Sequence, residues 1–382
     1  MGFDNKILIY SNVRIEISCF GVGGGVAEYH AMIHVADAGG DFAKQLGDIN
    51  AGYFYLMSNL GRSVNPVFRR YFLSDAANQQ PLLEKNMKAY PPCAVSAVQQ
   101  PPLDGSKVAL WVYLMSDATV EGDAKCAVAE HNGYRHIWSA DRTAQGADSA
   151  TQTESILEQY AAELGEEGCT LADDCLRTWF FVQNVDVNYM GVVEARREFF
   201  LRHGLTENTH YITSTGIEGR CAHHSNCVLF DAYAVKGLEQ GQQQFLYAPT
   251  HLNPTHEYGV TFERGVAVRY GDRRHIFIAG TASIDNLGEI VHPGDITGQT
   301  ERMLENISAL LAEAGADFDD IAQMIVYLRD ASDYPAVNNI FRERFGHIPK
   351  VITLAPVCRP GWLIETECIA VTANSDPRFR AF

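Results

Sequence analysis

The feature that most constrains the fold is an internal repeat, because one order of secondary structure elements recurs three times along the chain. It is clearest in the last third. There, apolar strand patterns and helical spacing of apolar residues predict the order strand, helix, strand, helix, strand, strand. The predicted strands are 275–284, 321–328, 351–358 and 363–371, and the predicted helices are 299–316 and 335–345.

The middle and first thirds repeat this order from the first helix onward. In the middle third the predicted helices are 149–168 and 192–204, and the strands are 175–182, 211–217 and 228–235. The first third is less regular, with predicted helices at 42–61 and 79–90 and strands at 67–73, 93–98 and 107–115. We therefore expect units at 1–120, 125–240 and 250–382, with linkers near 116–126 and 236–256. The alternative is three unrelated α/β segments.

The repeat predicts how the three units pack. A sheet that carries helices on one face must have its other face covered. Three such units can cover one another around a threefold axis within a single chain. The expected fold class is therefore α/β (α+β), with three tandem units forming a pseudo-trimeric barrel and the helices outside. The protein would then be a monomeric pseudo-trimer or a small oligomer.

Composition and charge limit the kinds of partner that the protein can bind. The 382 residues carry a formal net charge of -17, which repels phosphate backbones, so we expect no nucleic-acid partner. No apolar stretch approaches the roughly 20 residues of a membrane span, and the first residues show no signal-peptide core, so we expect no membrane partner. The nine cysteines are scattered and odd in number, which fits reduced thiols and a cytoplasmic location.

The third unit resembles the Rid (YjgF/YER057c/UK114) superfamily. The resemblance rests on GTASI at 280–284, Gln299, Asn306, VYLRDASDY at 326–334 and IETECIAV at 364–371. It implies pockets between neighbouring units and, as in several members, deamination of enamines or imines. The arginine that the superfamily uses for deamination is missing, because the corresponding positions are read as Cys93, Ile212 and Val351.

Within the superfamily, the chain is similar to the chorismatase subgroup. It shares RTW at 177–179, YITSTGI at 211–217, YGVTFERG at 258–265 and a cysteine, Cys358, seven residues before Glu365. The subgroup usually continues RTW with Asn-Tyr, whereas this chain has two phenylalanines. The resemblance implies cleavage of chorismate to pyruvate and a ring acid. The alternatives are an enamine or imine deaminase and a non-catalytic metabolite-binding protein.

Glu365 is the candidate catalytic residue. It interrupts an otherwise apolar strand, and a carboxyl group near a dry pocket has a raised pKa and can exchange a proton near neutral pH. The resemblance places the pocket glutamate of the superfamily at the same position. The matching stretches of the other units contain Trp111 and Asp231 but no equivalent glutamate, so we expect one principal pocket. The alternative is an edge-strand carboxylate that faces water beside Glu367.

Candidate substrate-binding residues are of three kinds. Arginines can hold a substrate carboxylate with their planar fork. Polar residues that alternate along a strand share one face and can bind a ring substrate. A serine in a turn and a small cysteine can form the pocket wall. These candidates are Arg177, Arg220, Arg359, Tyr211, Thr213, Thr215, Ser283 and Cys358.

We expect no cofactor and no metal. The segment CAHHSNC at 221–227 contains residues that can ligate zinc, but its spacing matches none of the strong zinc patterns. The expected partner is a small-molecule carboxylic acid.

Overall fold

The computed structural model describes residues 4–61, 63–87 and 91–382, which form three six-stranded mixed sheets. The first sheet contains β1 (Asp4–Tyr10), β2 (Val13–Phe20), β3 (Glu28–Val35), β4 (Val64–Leu73), β5 (Ala94–Gln99) and β6 (Val108–Ser116). The second contains β7 (Thr119–Gly122), β8 (Cys126–His131), β9 (Tyr134–Arg142), β10 (Cys175–Val182), β11 (Thr213–Glu218) and β12 (Val228–Lys236). The third contains β13 (Gln243–Leu246), β14 (Gly265–Arg269), β15 (Arg273–Ala282), β16 (Ile321–Leu328), β17 (Lys350–Leu354) and β18 (Ile364–Ala373).

The helices lie between these strands in the same order in each unit. They are α1 (Phe42–Leu60), α2 (Ala76–Met87), α3 (Ser149–Glu166), α4 (Leu171–Asp174), α5 (Val185–Arg202), α6 (Ile296–Glu313) and α7 (Tyr334–Phe345). Short 3-10 turns cover Thr255–Tyr258, Phe318–Asp320 and Ala331–Asp333. The last three residues of the predicted helix at 79–90 lie outside the described residues.

The three sheets share one topology, which confirms the predicted repeat. Their strand orders are β1-β2-β3-β6-β4-β5, β7-β8-β9-β12-β10-β11 and β13-β14-β15-β18-β16-β17. In each sheet the last two strands of the order are parallel neighbours. A helix joins them each time, α2, α5 or α7, because parallel neighbours need a long crossover connection. The closing strands β6, β12 and β18 are central strands.

The sheets differ from the sequence prediction at the start of each unit. The sequence analysis placed none of the three strands that open the first unit (β1–β3) or the second unit (β7–β9) in the repeat, and in the third unit it did not identify β13 and β14. Two of these strands, β7 and β13, lie within the segments that were read as linkers. They are short and only partly buried, so their hydrophobic pattern is weak. The chain therefore passes from the first sheet to the second between residues 116 and 119, and from the second sheet to the third between residues 236 and 243.

Each sheet packs helices on one face and the other two units on its opposite face. In the first unit, Leu46, Ile49 and Leu56 of α1 pack with buried residues of β2 and β3. The opposite faces form one shared aromatic core. In this core the Trp138 ring of the second unit lies 4.7 Å from the Phe68 ring of the first unit, measured between centroids. The Tyr233 ring of the second unit lies 5.4 Å from Phe277 of the third.

We expect Trp138→Ala to destabilise the whole chain. Trp138 is 2% exposed and packs against both Phe68 and Trp179, whose ring centroid is 6.2 Å away. Replacing a buried tryptophan by alanine costs about 3–5 kcal/mol, because contacts are lost and a cavity remains. Urea denaturation should show this loss in a single transition. Val187→Ala, at a 71% exposed position, is the control and should stay within about 0.5 kcal/mol of the wild type. A Trp138 variant as stable as this control would contradict the shared core.

Candidate active site between the second and third units

The candidate catalytic strand, β18, is a central strand and not an edge strand. It pairs with β15 on one side and β16 on the other, and nine of its ten residues are buried. Glu365 lies opposite Ala282 on β15 and Tyr327 on β16, and only 5% of its surface is exposed. The structure therefore does not place Glu365 on a water-facing edge.

A cavity of about 260 Å³, the Glu365 cavity, lies between the second and third units. Its wall from the second unit comes from α5 and β11, and its wall from the third unit comes from β15, β18 and two loops. The apolar part of the wall includes Val193, Val260, Phe262, Ala282, Ile284 and Trp362. The basic part consists of Arg196, Arg197, Arg264 and Arg359. The cavity is therefore cationic and partly apolar.

The carboxyl group of Glu365 is neutral at pH 7 in this environment. Burial and, next in size, the negative charge of Glu367 raise the pKa of Glu365 to about 8. The positive charges of Arg177 and Arg264 oppose this shift without cancelling it. Glu365 is thus a protonated acid that can donate a proton into the cavity.

Glu367, two residues further along β18, is buried and binds side chains of the second unit. It is 1% exposed, and it accepts hydrogen bonds from Arg177 Nη2 at 2.7 Å and Trp179 Nε1 at 2.7 Å. The Thr215 hydroxyl donates a third hydrogen bond to it at 2.6 Å. The neighbouring unit covers this face of the sheet, so neither Glu367 nor Glu365 faces water.

Arg177 does not reach the cavity that it was expected to serve. It is 1% exposed and lies behind the cavity, where it pairs with Glu367. A second buried pair lies beside it, because Arg70 Nη2 of the first unit donates to Asp231 Oδ2 at 2.8 Å. The structure gives Arg177 a partner inside the protein, so its contribution to the site is to hold Glu367.

Gly280 and Thr215 complete the floor of the cavity. The Gly280 main-chain N–H donates to Thr215 Oγ1 at 2.9 Å. A Cβ atom at position 280 would lie 2.0 Å from Glu365 Oε1, a separation that real atoms do not adopt. The glycine of the GTASI motif is therefore needed so that the Glu365 carboxyl can lie against the main chain.

The structure brings together only some of the predicted binding residues. Thr215, Cys358 and Arg359 line the Glu365 cavity. Burial raises the pKa of Cys358 to about 12, so this residue is a neutral thiol in the wall and not a nucleophile. Tyr211 instead lines a neighbouring cavity of about 430 Å³.

The other three predicted binding residues lie away from the Glu365 cavity. Thr213 is 1% exposed and does not line it. Ser283 is fully buried, and its hydroxyl donates to the main-chain oxygen of Val291 at 2.7 Å. Arg220 is exposed at the boundary with the first unit, where its main-chain oxygen accepts from Gln99 N at 2.8 Å.

Sequence reasoning missed the residues that α5 contributes. Tyr189, Arg196 and Arg197 line the cavity, and Arg196 is 1% exposed with its Nη1 3.3 Å from Ser214 Oγ. Two adjacent arginines on an amphipathic helix are usually solvated, so the pattern alone did not mark them. Arg264 was present in the YGVTFERG motif, but its role in the cavity was not predicted.

The first and second units have no acid at the position of Glu365. The Tyr327–Glu365 pair of β16 and β18 corresponds to Phe72–Ala109 and to Phe181–Leu229. In the described part of the chain the protonated carboxyl is therefore specific to one interface.

The described residues hold neither a metal-binding cluster nor a membrane-spanning helix. They contain no group of three or more His, Cys, Asp or Glu side chains arranged to hold a metal ion. Within CAHHSNC, His223 Nδ1 lies 2.9 Å from the Ser225 hydroxyl. No helix in the described ranges is both long enough and apolar enough to cross a membrane.

We expect Glu367→Gln to destabilise the protein by about 3 kcal/mol. The substitution removes the charge that compensates Arg177, and a buried ion without its partner is costly. Chemical denaturation at pH 7 should measure the loss. Glu305→Gln, which changes a carboxylate that is 61% exposed, provides the control for the same substitution at the surface. Equal stability of the two variants would show that the buried pair is unimportant.

We expect Glu365→Gln to stabilise the protein relative to the wild type, and to do so more strongly as pH rises. Between the unfolded pKa of about 4.3 and the folded pKa of about 8, the folded protein holds a proton that the unfolded chain releases. Stability of the wild type therefore falls as pH rises through this window. Glutamine does not titrate, so the stability of the variant lacks this decline. The melting temperature of the variant should therefore rise relative to that of the wild type between pH 5 and pH 9. A difference that stays constant with pH would refute the raised pKa.

Comparisons with known proteins agree with this architecture. The family described as endoribonuclease L-PSP matches residues 262–372. A RutC family protein of Pyrococcus abyssi is 42% identical over 107 residues, which cover 27% of this chain and 82% of that protein. The 3-aminoacrylate deaminase RutC of Acinetobacter baylyi is 36% identical over 70 residues, which cover 18% of this chain and 56% of that protein.

One solved structure matches most of the chain. A crystal structure of a chorismatase superposes with a TM-score of 0.64 and 19% identity, covering 80% of this chain and 92% of that one. At this identity the match shows a common fold, in which all three units take part. Together with the sequence relatives, it shows that the chain belongs to the Rid superfamily and has a chorismatase-like arrangement of three tandem units.

Proposed function

We propose that the protein is a Rid-type enzyme that cleaves a small enol ether or enamine bearing carboxylates, with chorismate as the leading candidate. The observation that carries the proposal is the protonated Glu365 carboxyl at the floor of a cavity with four arginines. An acid that keeps its proton at pH 7 is what protonation of an electron-rich double bond requires. No cofactor takes part in this chemistry.

The reaction begins with proton transfer from Glu365 to the methylene carbon of the enolpyruvyl group. The substrate becomes an oxocarbenium ion, and Glu365 becomes a carboxylate. Water then adds to the cationic carbon and gives up a proton to Glu365, which restores the acid. Collapse of the resulting hemiketal breaks the bond to the ring oxygen and releases pyruvate and a hydroxylated ring acid. Because burial favours the neutral form of Glu365, the return of the proton is downhill.

The arginines account for binding of an acidic substrate. The guanidinium groups of Arg196 and Arg197 come from the second unit, and those of Arg264 and Arg359 come from the third. Planar guanidinium groups bind carboxylates with paired, charge-assisted hydrogen bonds. The apolar wall, with Phe262 and Trp362, suits a six-membered ring. A dianionic ring compound therefore fits both the charge and the surface of the cavity.

Deamination of an enamine is the second candidate, because relatives of the third unit include a 3-aminoacrylate deaminase. Val351 lies opposite Ile325 on β16, and Thr215 lies opposite Trp179 on β10. Because Ile325 and Trp179 are equivalent positions, Val351 corresponds to Thr215 in the second unit and not to Ile212. Thr215 lines the Glu365 cavity. The wall that β11 forms therefore still lacks the arginine that the superfamily uses for deamination. A non-catalytic metabolite-binding protein is the third candidate.

We expect the protein to release pyruvate from chorismate, which a coupled lactate dehydrogenase assay detects. Glu365→Gln keeps the shape and removes the acid, so turnover should fall by about 10²–10⁴-fold. Glu343→Gln, an exposed position on α7, is the control and should retain activity. Ammonia released from an aminoacrylate-type enamine, with no pyruvate from chorismate, would favour the deaminase. If neither product forms and Glu365→Gln leaves ligand binding unchanged, the binding-protein candidate is favoured.

The pH profile provides a separate test. Activity that depends on protonated Glu365 should decline as pH rises through about 8, the pKa of that residue in the free enzyme. The profile of kcat/KM reports free-enzyme groups, so this is the parameter to measure. The residual activity of Glu365→Gln should lack this alkaline decline. A wild-type profile that stays flat to pH 10 would exclude Glu365 as the acid.

A further inference from the structure

The threefold repeat creates more than one cleft between units. The Glu365 cavity lies between the second and third units. A second cavity of about 490 Å³, the Arg342 cavity, lies between the third and first units. A third, of about 200 Å³, lies between the first and second units and contains the Lys125–Asp141 ion pair. The Arg342 cavity is the larger of these last two.

The Glu365 and Arg342 cavities are built from equivalent positions. Helix α5 contributes Tyr189 and Arg197 to the first, and α7 contributes Tyr334 and Arg342 to the second, with the same spacing between tyrosine and arginine. The strands that follow these helices, β11 and β17, also line the respective cavities. The Arg342 cavity therefore repeats one wall of the candidate active site, including its tyrosine and its arginine.

The opposite wall, from the first unit, has different chemistry. The position of Glu365 is occupied by Ala109, so this cavity lacks the protonated acid. Its carboxylates already have partners. Glu16 pairs with Arg14 at 2.9 Å and accepts from the main-chain nitrogen of Lys350 at 3.0 Å. Asp104 accepts from the main-chain nitrogen and the hydroxyl of Ser106 at 2.9 and 2.6 Å.

A half-buried histidine lies beside the carboxylates of this wall. His34 Nδ1 lies 3.6 Å from Asp104 Oδ2, and Nε2 lies 3.9 Å from Glu16 Oε2. Within the described residues, Nε2 is buried without a hydrogen-bond partner. Burial lowers the pKa of His34, but the two neighbouring carboxylates raise it more, so the pKa lies above its usual value. Inside the first unit, the carboxylates of Glu16 and Asp104 therefore lie beside Arg14 and His34.

Arg342 is a further cation of the cavity, in addition to the groups that lie beside the carboxylates of the first unit. Its Nη2 donates to Asn339 Oδ1 at 3.0 Å, which uses one of its five N–H donors. Lys350, by contrast, directs its ammonium to the main-chain oxygens of Phe345 and Ile348 at 2.9 and 3.3 Å. The guanidinium of Arg342 is therefore the group that an anionic ligand would meet.

We propose that the Arg342 cavity is a second ligand site, which binds a small carboxylate through Arg342, Arg14 and the Tyr334 hydroxyl but does not cleave it. The choice of a carboxylate rests on the proposed function, because Arg342 takes the position that Arg197 has in the Glu365 cavity. The absence of an acid at position 109 is the reason that ligand bound here is not protonated and stays intact.

The test uses para-bromobenzoate, whose bromine locates the ligand by anomalous scattering in crystals of the full chain. Calorimetry in solution measures the affinity and the number of sites. Arg342→Gln should weaken binding at the second site about tenfold or more, because a charge-assisted contact is lost. Arg344→Gln is the matched control on the same helix, since Arg344 pairs with Glu301 at 2.6 Å and does not line the cavity. Neutral para-bromobenzamide tests the need for a carboxylate.

The outcomes separate this inference from the proposed function. Bromine beside Arg342 in the wild type, lost in Arg342→Gln and kept in Arg344→Gln and Arg197→Gln, supports the second site. The same result without release of pyruvate from chorismate or ammonia from an enamine would leave the second site intact and reject the proposed function. Bromine only in the Glu365 cavity, no bromine at all, or equal binding of the benzamide beside Arg342 would overturn the second site.

Discussion

The arrangement of the three units depends on two buried ion pairs at their common centre. Arg70 of the first unit pairs with Asp231 of the second, and Arg177 of the second pairs with Glu367 of the third. None of these four side chains is more than 2% exposed. Removing charges from water is costly unless each finds its partner, so packing of the units in a different register would leave ions unpaired. The aromatic core supplies the apolar contact area, and the ion pairs specify the orientation.

This constraint also sets the chemistry of the candidate site. Glu367 lies on the same face of β18 as Glu365 and, after burial, is the second cause that raises the pKa of Glu365. Thr215 links the two features, because its hydroxyl donates to Glu367 and accepts from the Gly280 main chain. The carboxyl that performs the proposed proton transfer is therefore held against a floor that the interface itself stabilises.

Fusion of three units in one chain allows the interfaces to differ. Trp111, Asp231 and Glu367 occupy equivalent places on the closing strands, opposite Arg70, Trp179 and Ile325. In a trimer of identical chains these positions would be the same residue. Here one interface has the protonated acid, another has a basic cavity without it, and the third contains a small cleft with its own ion pair. Such divergence permits one fold to carry three interfaces of different chemistry.

The sequence by itself determined the repeat and the superfamily, and it singled out Glu365 as the candidate acid. The order of strands and helices in the third unit followed from local periodicity, which depends on the chain alone. The short edge strands β7 and β13 were not predicted, because hydrogen bonds to a neighbouring strand define them more than their own hydrophobic pattern. For the same reason the boundaries of the second and third units differ from the predicted ones.

The roles of Arg177, Glu367 and Arg197 were decided only by the tertiary structure. The sequence analysis proposed Arg177 as a substrate ligand, and it assigned no role to Glu367 or Arg197. Their environments come from other units, since the partner of Arg177 is 190 residues away along the chain. Burial, ion pairing and a shifted pKa are properties of the assembled interface, and no local pattern in the sequence contains them.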